Sequence, residues 1–206
     1  MEKIDFRKTL KAFYAPSAKA FGIVEVPEMA FAMVDGQGDP KLAADYQGGL
    51  SWLYTVSYRL KFTSKAELQR DYTVPPLEAL WWADDMTAFV SGRRQDWRWT
   101  QLIMVPDWIT RKMFEAAKSE AGKKLGSAPG SLRLERFHEG LSVQILHVGP
   151  YDAEAPTIRK LHEEFLPANG LVENGRHHEI YLSDPRRVPP RKLKTVLRQP
   201  VRRSSK

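Results

Sequence analysis

The chain of 206 residues contains no cysteine. This absence excludes disulfide bonds, zinc sites built from thiolates and cysteine nucleophiles. No apolar run approaches the roughly 20 residues that a membrane-spanning helix needs, and the first residues lack the apolar core of a signal peptide. We therefore expect a cytoplasmic protein with no membrane partner.

Patterns that would hold a metal or a cofactor are also missing. His177 and His178 are neighbours on a predicted strand, so their side chains point to opposite faces and cannot chelate one ion. The other histidines show no ligand spacing. Gly36-Gln37-Gly38 lacks the lysine of a phosphate-binding loop and the third glycine of a dinucleotide site. We expect no metal and no cofactor.

Acidic residues are absent after Asp184, and nine lysines and arginines follow it. Because the whole chain carries a net charge of +7, residues 1–185 are slightly acidic. The basic C-terminal segment either contacts a polyanion or forms a solvated edge strand and tail, in which basic side chains discourage edge pairing. The second interpretation is favoured, so we expect no specific nucleic-acid partner.

The residue pattern predicts an α+β protein. Apolar residues make up 42% of the chain and aromatic residues 11%, as in globular domains. We expect an N-terminal arm over 1–20, one domain over 21–200 and a basic tail over 201–206. The predicted strands are 21–34, 73–91, 97–105, 131–137, 141–148, 176–182 and 194–200, and the predicted helices are 42–61, 107–124 and 153–168.

The two halves of the predicted domain, about 21–105 and 106–200, look like divergent copies of one module. Each contains a strand, a helix and two further strands, an arrangement that cannot bury both faces by itself. We therefore predict two tandem strand-helix-strand-strand modules related by a pseudo-twofold axis. The groove between the copies is the expected ligand site.

The strand His177–Leu182 places an acid inside a segment that otherwise resembles a buried strand. Because side chains alternate along a strand, Glu179 and Tyr181 share one face. A carboxylate on such a face either lies at the sheet rim in water or an ion pair, or belongs to a functional site.

Two further groups are candidates for binding. Trp81, Trp82, Trp97 and Trp99 are four of the six tryptophans and fall within nineteen residues. They either fill the core or line an aromatic pocket for flat, apolar or cationic ligands. Tyr151 follows a Gly-Pro turn, where it either caps a helix or leans over the groove.

The sequence resembles the stand-alone members of the GyrI-like small-molecule-binding domains over nearly its whole length. Ala79 departs from the pattern, since relatives are expected to carry glycine there. The matching motifs are Asp5–Lys8, Val26–Met29, Asp35–Pro40, Leu53-Tyr54, Pro76–Trp82, Trp97–Thr100, Glu139–Asp152, His177–Asp184 and Lys194–Pro200.

The resemblance implies a central aromatic pocket with Glu179 at its floor. It further implies a hydrolase that opens the cyclopropane of DNA-alkylating natural products, with Glu179 as the base and Tyr151 or Tyr181 assisting. Hydrophobic aromatic small molecules are then the partners. The alternatives are sequestration of hydrophobic or cationic drugs without turnover and a gyrase-inhibitor-like protein interaction. The implied ligand-binding residues are Trp82, Trp99, Trp81, Trp97, Glu78 and His147.

Overall fold

The structure is a computed structural model that describes residues 2–85 and 87–204, and its chain divides into two compact units. The first unit contains Met1–Thr9 and Met29–Phe137, and the second contains Leu10–Glu28 and His138–Lys206. Both units combine helices with antiparallel strands, which confirms the mixed α and β class predicted from the sequence. None of the described helices is long and apolar enough to cross a membrane.

Three antiparallel strands form the sheet of the first unit. They are residues 29–37 of β2 (Gly22–Gln37), together with β4 (Leu77–Trp82) and β5 (Arg98–Val105). The central strand β5 pairs with β2 from Ala30↔Val105 to Gln37↔Arg98 and with β4 from Leu77↔Ile103 to Trp82↔Arg98. Every residue of β5 after Arg98 is buried, as expected for a strand with a neighbour on each side.

Two long helices, α3 (Ala44–Glu67) and α5 (Arg111–Leu125), pack with this sheet around the main apolar core. Thr110 caps α5 by accepting a hydrogen bond from the Met113 N–H. The core of this unit includes Leu53 of α3, Ile103 of β5 and Phe114 of α5, all fully buried.

The second unit is built around strand β9 (Lys194–Arg203). It pairs antiparallel with β6 (Arg133–Val148), with β8 (His177–Tyr181) and with the short β7 (Leu171–Glu173). A helical stretch connects β6 to β7. It consists of α6 (Ala155–Lys160), one π-helical turn (Leu161–Phe165) and α7 (Leu166–Ala168).

The remaining elements are short. In the first unit, β1 (Lys3–Ile4) pairs in parallel with β3 (Asp71–Tyr72). The helical turns are α1 (Phe6–Thr9), α2 (Lys11–Tyr14) and α4 (Thr87–Val90), and 3₁₀ turns occur at Arg94–Asp96, Tyr151–Ala153 and Pro190–Lys192.

Two strand predictions were wrong. The strand predicted over 73–91 covers only Leu77–Trp82, because Asp84 and Asp85 are poor strand formers and the Asp85 carbonyl accepts the Ala88 N–H in a turn. The two strands predicted at 131–137 and 141–148 are one strand, β6. Instead of a break between two strands there is only a local distortion at Gly140, whose φ of +72° is a conformation that glycine tolerates.

Candidate active site

Strand β8 has the alternation that the sequence predicted. His178 and Ile180 are buried on one face, at 1% and 0% exposure, while His177, Glu179 and Tyr181 are only partly buried on the other. Pairing with β9 fixes this register, with Glu179 opposite Leu197. The acid therefore lies on the less buried face of a strand whose other face is core.

Tyr181 and Glu179 are directly bonded. The Tyr181 hydroxyl donates a hydrogen bond of 2.8 Å to Glu179 Oε2, and the Glu179 side chain is 16% exposed. The ring of Tyr151, in the 3₁₀ turn after Pro150, lies edge-on to the Tyr181 ring, with centroids 5.7 Å apart. The three residues predicted to be catalytic therefore come together within one unit.

Glu154 is the site residue that sequence reasoning missed. It lies at the N-cap of α6 and is 4% exposed. Its pKa is raised to about 9, chiefly by burial and also by the negative charges of Glu179 and, more weakly, Asp152, whereas the Thr195 hydroxyl opposes the shift. At neutral pH Glu154 therefore holds a proton. The only sequence signal was its place between Tyr151 and the helix start, which looks like an ordinary cap.

The opposite face of β8 is fixed by a buried ionic network. His178 Nδ1 lies 2.9 Å from Glu139 Oε1, and Arg198 Nη1 donates to Glu139 Oε2 at 2.9 Å. Burial by itself raises the pKa of Glu139, but the charges and hydrogen bonds of His178 and Arg198 outweigh it and hold the pKa at about 2. The network therefore buries three polar side chains on the core-facing side of β8, opposite the face that carries Glu179.

The network also reaches the N-terminal arm. Arg198 Nη2 donates to the Phe13 carbonyl at 2.6 Å, and Gln144 Nε2 donates to the Ala12 carbonyl at 2.7 Å. These two carbonyls belong to α2, which is too short to satisfy them internally. Tyr14, at 3% exposure, packs with Ile180 of β8 in the same core cluster.

Three of the predicted tryptophans, Trp81, Trp97 and Trp99, form an aromatic cluster in the first unit, whereas Trp82 follows Trp81 on β4 and points to the opposite face of the sheet. Trp81 stacks on Tyr46 at 6.2 Å and meets Trp97 edge-on at 5.9 Å. Trp99 also contacts Tyr46 and is completely buried. Its ring fits against Gly36, where an added methyl group would lie 2.0 Å from the ring. Trp99 is therefore part of the core, whereas Trp82 and Trp97 are partly exposed.

The other two predicted ligand-binding residues, Glu78 and His147, lie in different units. Glu78 lies on β4 of the first unit and is 1% exposed. His147 lies near the end of β6 in the second unit, where its Nε2 is 3.3 Å from the Pro150 carbonyl oxygen. Within residues 2–85 and 87–204, no cluster of three or more histidine or acidic side chains has the arrangement of a metal site.

The model of the GyrI-like small-molecule-binding domain matches residues 20–202. The chain belongs to the GyrI-like family. No curated protein matches it. A solved structure described as an uncharacterized conserved protein from Listeria innocua is 42% identical, with a TM-score of 0.89 over 97% of this chain and all of that one.

Another solved GyrI-like relative is described as a hydrolase from Listeria innocua. It is 40% identical, with a TM-score of 0.84, over 97% of this chain and all of that one. The EcmrR C-terminal domain is 12% identical, with a TM-score of 0.56 over 89% of this chain and 98% of that one. This last similarity concerns the GyrI-like fold alone.

Proposed function

We propose that this GyrI-like protein is a hydrolase that opens the strained cyclopropane ring of DNA-alkylating cyclopropanoid compounds and thereby protects the cell. The observation that carries the proposal is the pair of carboxyl groups Glu154 and Glu179 beside Tyr181. One neutral and one charged carboxyl are the acid and base that addition of water requires. The relative described as a hydrolase supports the same reaction class.

Glu179 is the proposed general base. The hydrogen bond from Tyr181 stabilises its charged form, and the proton of the pair resides on Glu154. Glu179 takes a proton from a water molecule while the water oxygen attacks the ring CH₂ carbon. The strained carbon–carbon bond breaks, and its electron pair moves through the conjugated ring to the carbonyl oxygen.

Glu154 is the proposed general acid. Its proton goes to the substrate oxygen on which charge develops, so the product contains the substrate plus one water. Tyr151 packs against Tyr181 and holds it, and its own hydroxyl is the second candidate donor to that oxygen. No metal or cofactor is required for this step, because the ring strain activates the carbon.

The aromatic cluster is the proposed ligand-binding group. Trp82 and Trp97 keep part of their surface exposed and can stack on a flat substrate. Trp81 is buried and contacts Trp97 edge-on, while Trp99 is buried against Gly36 in the same cluster. Glu78 and His147 remain proposed polar contacts to the ligand.

The second candidate function is sequestration of hydrophobic or cationic drugs without turnover. The tryptophan-rich cluster favours it, since aromatic rings bind flat and cationic molecules without any catalytic group. The family description, a small-molecule-binding domain, also covers this activity.

The experiment that separates the two is mass spectrometry after incubation with a cyclopropane-bearing DNA alkylator. A hydrolase yields a product heavier by one water, at a rate proportional to protein concentration and above the buffer rate. The matched control is Glu163→Gln, an exposed acid on the helical stretch, which must behave like the wild type. Binding without consumption of the alkylator rejects the hydrolase and leaves sequestration.

A further inference from the structure

Thr195 lies directly beside Tyr181 and is not used in the mechanism above. On β9 it is the register partner of Tyr181 on β8 and of His147 on β6. Residues directly opposite each other on antiparallel strands point their side chains to the same face, with Cβ atoms about 4.5–5.5 Å apart. The three side chains therefore form one row across three strands, with Thr195 in the middle.

The chain turn that ends at Glu154 is held against this row at two places. At its start, the Gly149 N–H donates a 3.0 Å hydrogen bond to the Leu193 carbonyl, directly before β9. At its end, the Glu154 N–H donates to the Tyr151 carbonyl at 3.1 Å, and the Tyr151 ring packs edge-on against Tyr181. These contacts fix the turn, and with it Glu154, next to the row.

The Thr195 hydroxyl and the Glu154 carboxyl are both buried. Thr195 is 0% exposed and Glu154 is 4% exposed. Neither Thr195 Oγ1 nor Glu154 Oε1 makes a hydrogen bond of good geometry within residues 2–85 and 87–204. Burial of unpaired polar groups is unfavourable, and a hydroxyl beside a carboxyl relieves it by rotating to donate.

The Thr195 hydroxyl favours the charged form of Glu154. Burial raises the pKa of Glu154, and the charges of Glu179 and Asp152 raise it as well, whereas this hydroxyl lowers it. The contact strengthens as the carboxyl loses its proton, because a hydrogen bond to a charged acceptor is stronger than one to a neutral acceptor. The titratable side chains on the elements around Glu154 are Glu179 and Tyr181 on β8, His147 on β6, and Tyr151 and Asp152 in the turn.

We infer that Thr195 is a positioning residue that acts on the reaction through Glu154. The inference rests on the proposed function, in which Glu154 is the general acid. As Glu154 gives its proton to the substrate oxygen, the Thr195 hydroxyl rotates and donates to Glu154 Oε1, where negative charge develops. The O–H bond of Thr195 stays intact, and the O–H bond of Glu154 breaks as the new one forms on the substrate. Thr195 thereby makes Glu154 a stronger acid during the transfer.

The first test needs no turnover. The carboxyl ¹³C chemical shift of Glu154 is titrated by NMR, with Glu154→Gln to assign the signal and melting curves to confirm folding. We expect Thr195→Val, which keeps the shape but removes the hydroxyl, to move the midpoint to higher pH by about half a pH unit or more. Thr195→Ala should do the same, and Thr195→Ser should restore the wild-type midpoint.

The control is Thr55→Val, at a half-buried threonine of α3, which must leave the Glu154 midpoint unchanged. A wild-type midpoint in folded Thr195→Val or Thr195→Ala protein, or a midpoint at lower pH, overturns the inference.

The second test measures kcat and KM for the cyclopropane-bearing alkylator across pH. We expect Thr195→Val to lower kcat about threefold or more near neutral pH with little change in KM, because Glu154 becomes a weaker acid. The alkaline limb of the kcat profile should move to higher pH together with the NMR midpoint, and Thr195→Ser should behave like the wild type.

A loss of kcat with an unmoved alkaline limb would show a merely structural role and would overturn the inference. If the alkylator is never consumed, the proposed hydrolase function fails, whereas the NMR midpoint still tests the contact between Thr195 and Glu154. If the alkylator is consumed but the midpoint does not move, the hydrolase function stands and the role of Thr195 is wrong.

Discussion

Tyr181 donates a 2.8 Å hydrogen bond to Glu179 Oε2, while Glu154 is buried nearby with a pKa raised to about 9. The hydroxyl stabilises the charge on Glu179, and that charge in turn favours the proton on Glu154. This arrangement favours a proton on Glu154 beside a charged Glu179. This difference in protonation is the basis for the acid and base roles proposed above.

Glu179→Gln is expected to reduce hydrolysis by at least a hundredfold and leave ligand affinity nearly unchanged. Glutamine keeps the size and the hydrogen bond from Tyr181 but cannot take a proton, and general-base catalysis contributes about a hundred- to ten-thousandfold. Single-turnover rates and equilibrium binding of the alkylator measure the two effects separately. Turnover that survives this substitution would show that another group is the base.

Glu154→Gln is expected to raise the melting temperature at pH 8 but not at pH 4. The folded protein binds the Glu154 proton with a pKa of about 9, against an ordinary value of 4.5. The stability that the Glu154 proton contributes is therefore fully present below pH 4.5 and decreases as the pH rises toward 9. Because glutamine does not ionise, the variant does not lose this stability at high pH.

Each ~1 kcal/mol recovered corresponds to a rise of about 2–4 °C for a chain of this size. Calorimetric scans across pH 4–9 provide the measurement, and the exposed Glu163→Gln serves as the control. Parallel melting curves for wild type and Glu154→Gln across this range would contradict the raised pKa.

Trp82→Ala and Trp99→Ala are expected to have different effects. Trp82 is partly exposed, so its loss should weaken ligand binding by about 1–3 kcal/mol and leave the fold intact. Trp99 is completely buried against Gly36, so its loss should cost about 3–5 kcal/mol of stability. Fluorescence binding titrations and urea unfolding curves compare the two. A Trp99→Ala protein as stable as wild type would contradict the core assignment.

Glu139→Gln is expected to destabilise the protein by about 3–5 kcal/mol, because it leaves the buried Arg198 without its charged partner. The lowered pKa of Glu139, about 2, means that its contribution is present above pH 4.5 and is lost as the pH falls toward 2. Urea unfolding at pH 7 and pH 3 measures both effects.

The matched control is Glu135→Gln, which breaks an exposed ion pair with Arg133 and should cost less than about 1 kcal/mol. Equal losses in the two variants would show that the buried network contributes no more than a surface pair.

Local patterns in the sequence were sufficient for much of the fold. The period-two alternation around Glu179 placed this acid and Tyr181 on one strand face, since alternation depends only on neighbouring residues. The apolar spacing likewise predicted α3, although the helix ends six residues beyond the predicted residue 61. Strand ends were less well predicted, because turns such as the one at Asp85 depend on hydrogen bonds that local propensity describes poorly.

The sequence by itself determined the mixed class, the family resemblance, and the chemistry available on β8. Only the tertiary structure decided which acids interact. Glu154 and Glu179 are separated by the helical stretch and strand β7, and Glu139, His178 and Arg198 come from three different strands. Burial and proximity to charge set the pKa values of such groups, and both are properties of the packed chain rather than of any segment of it.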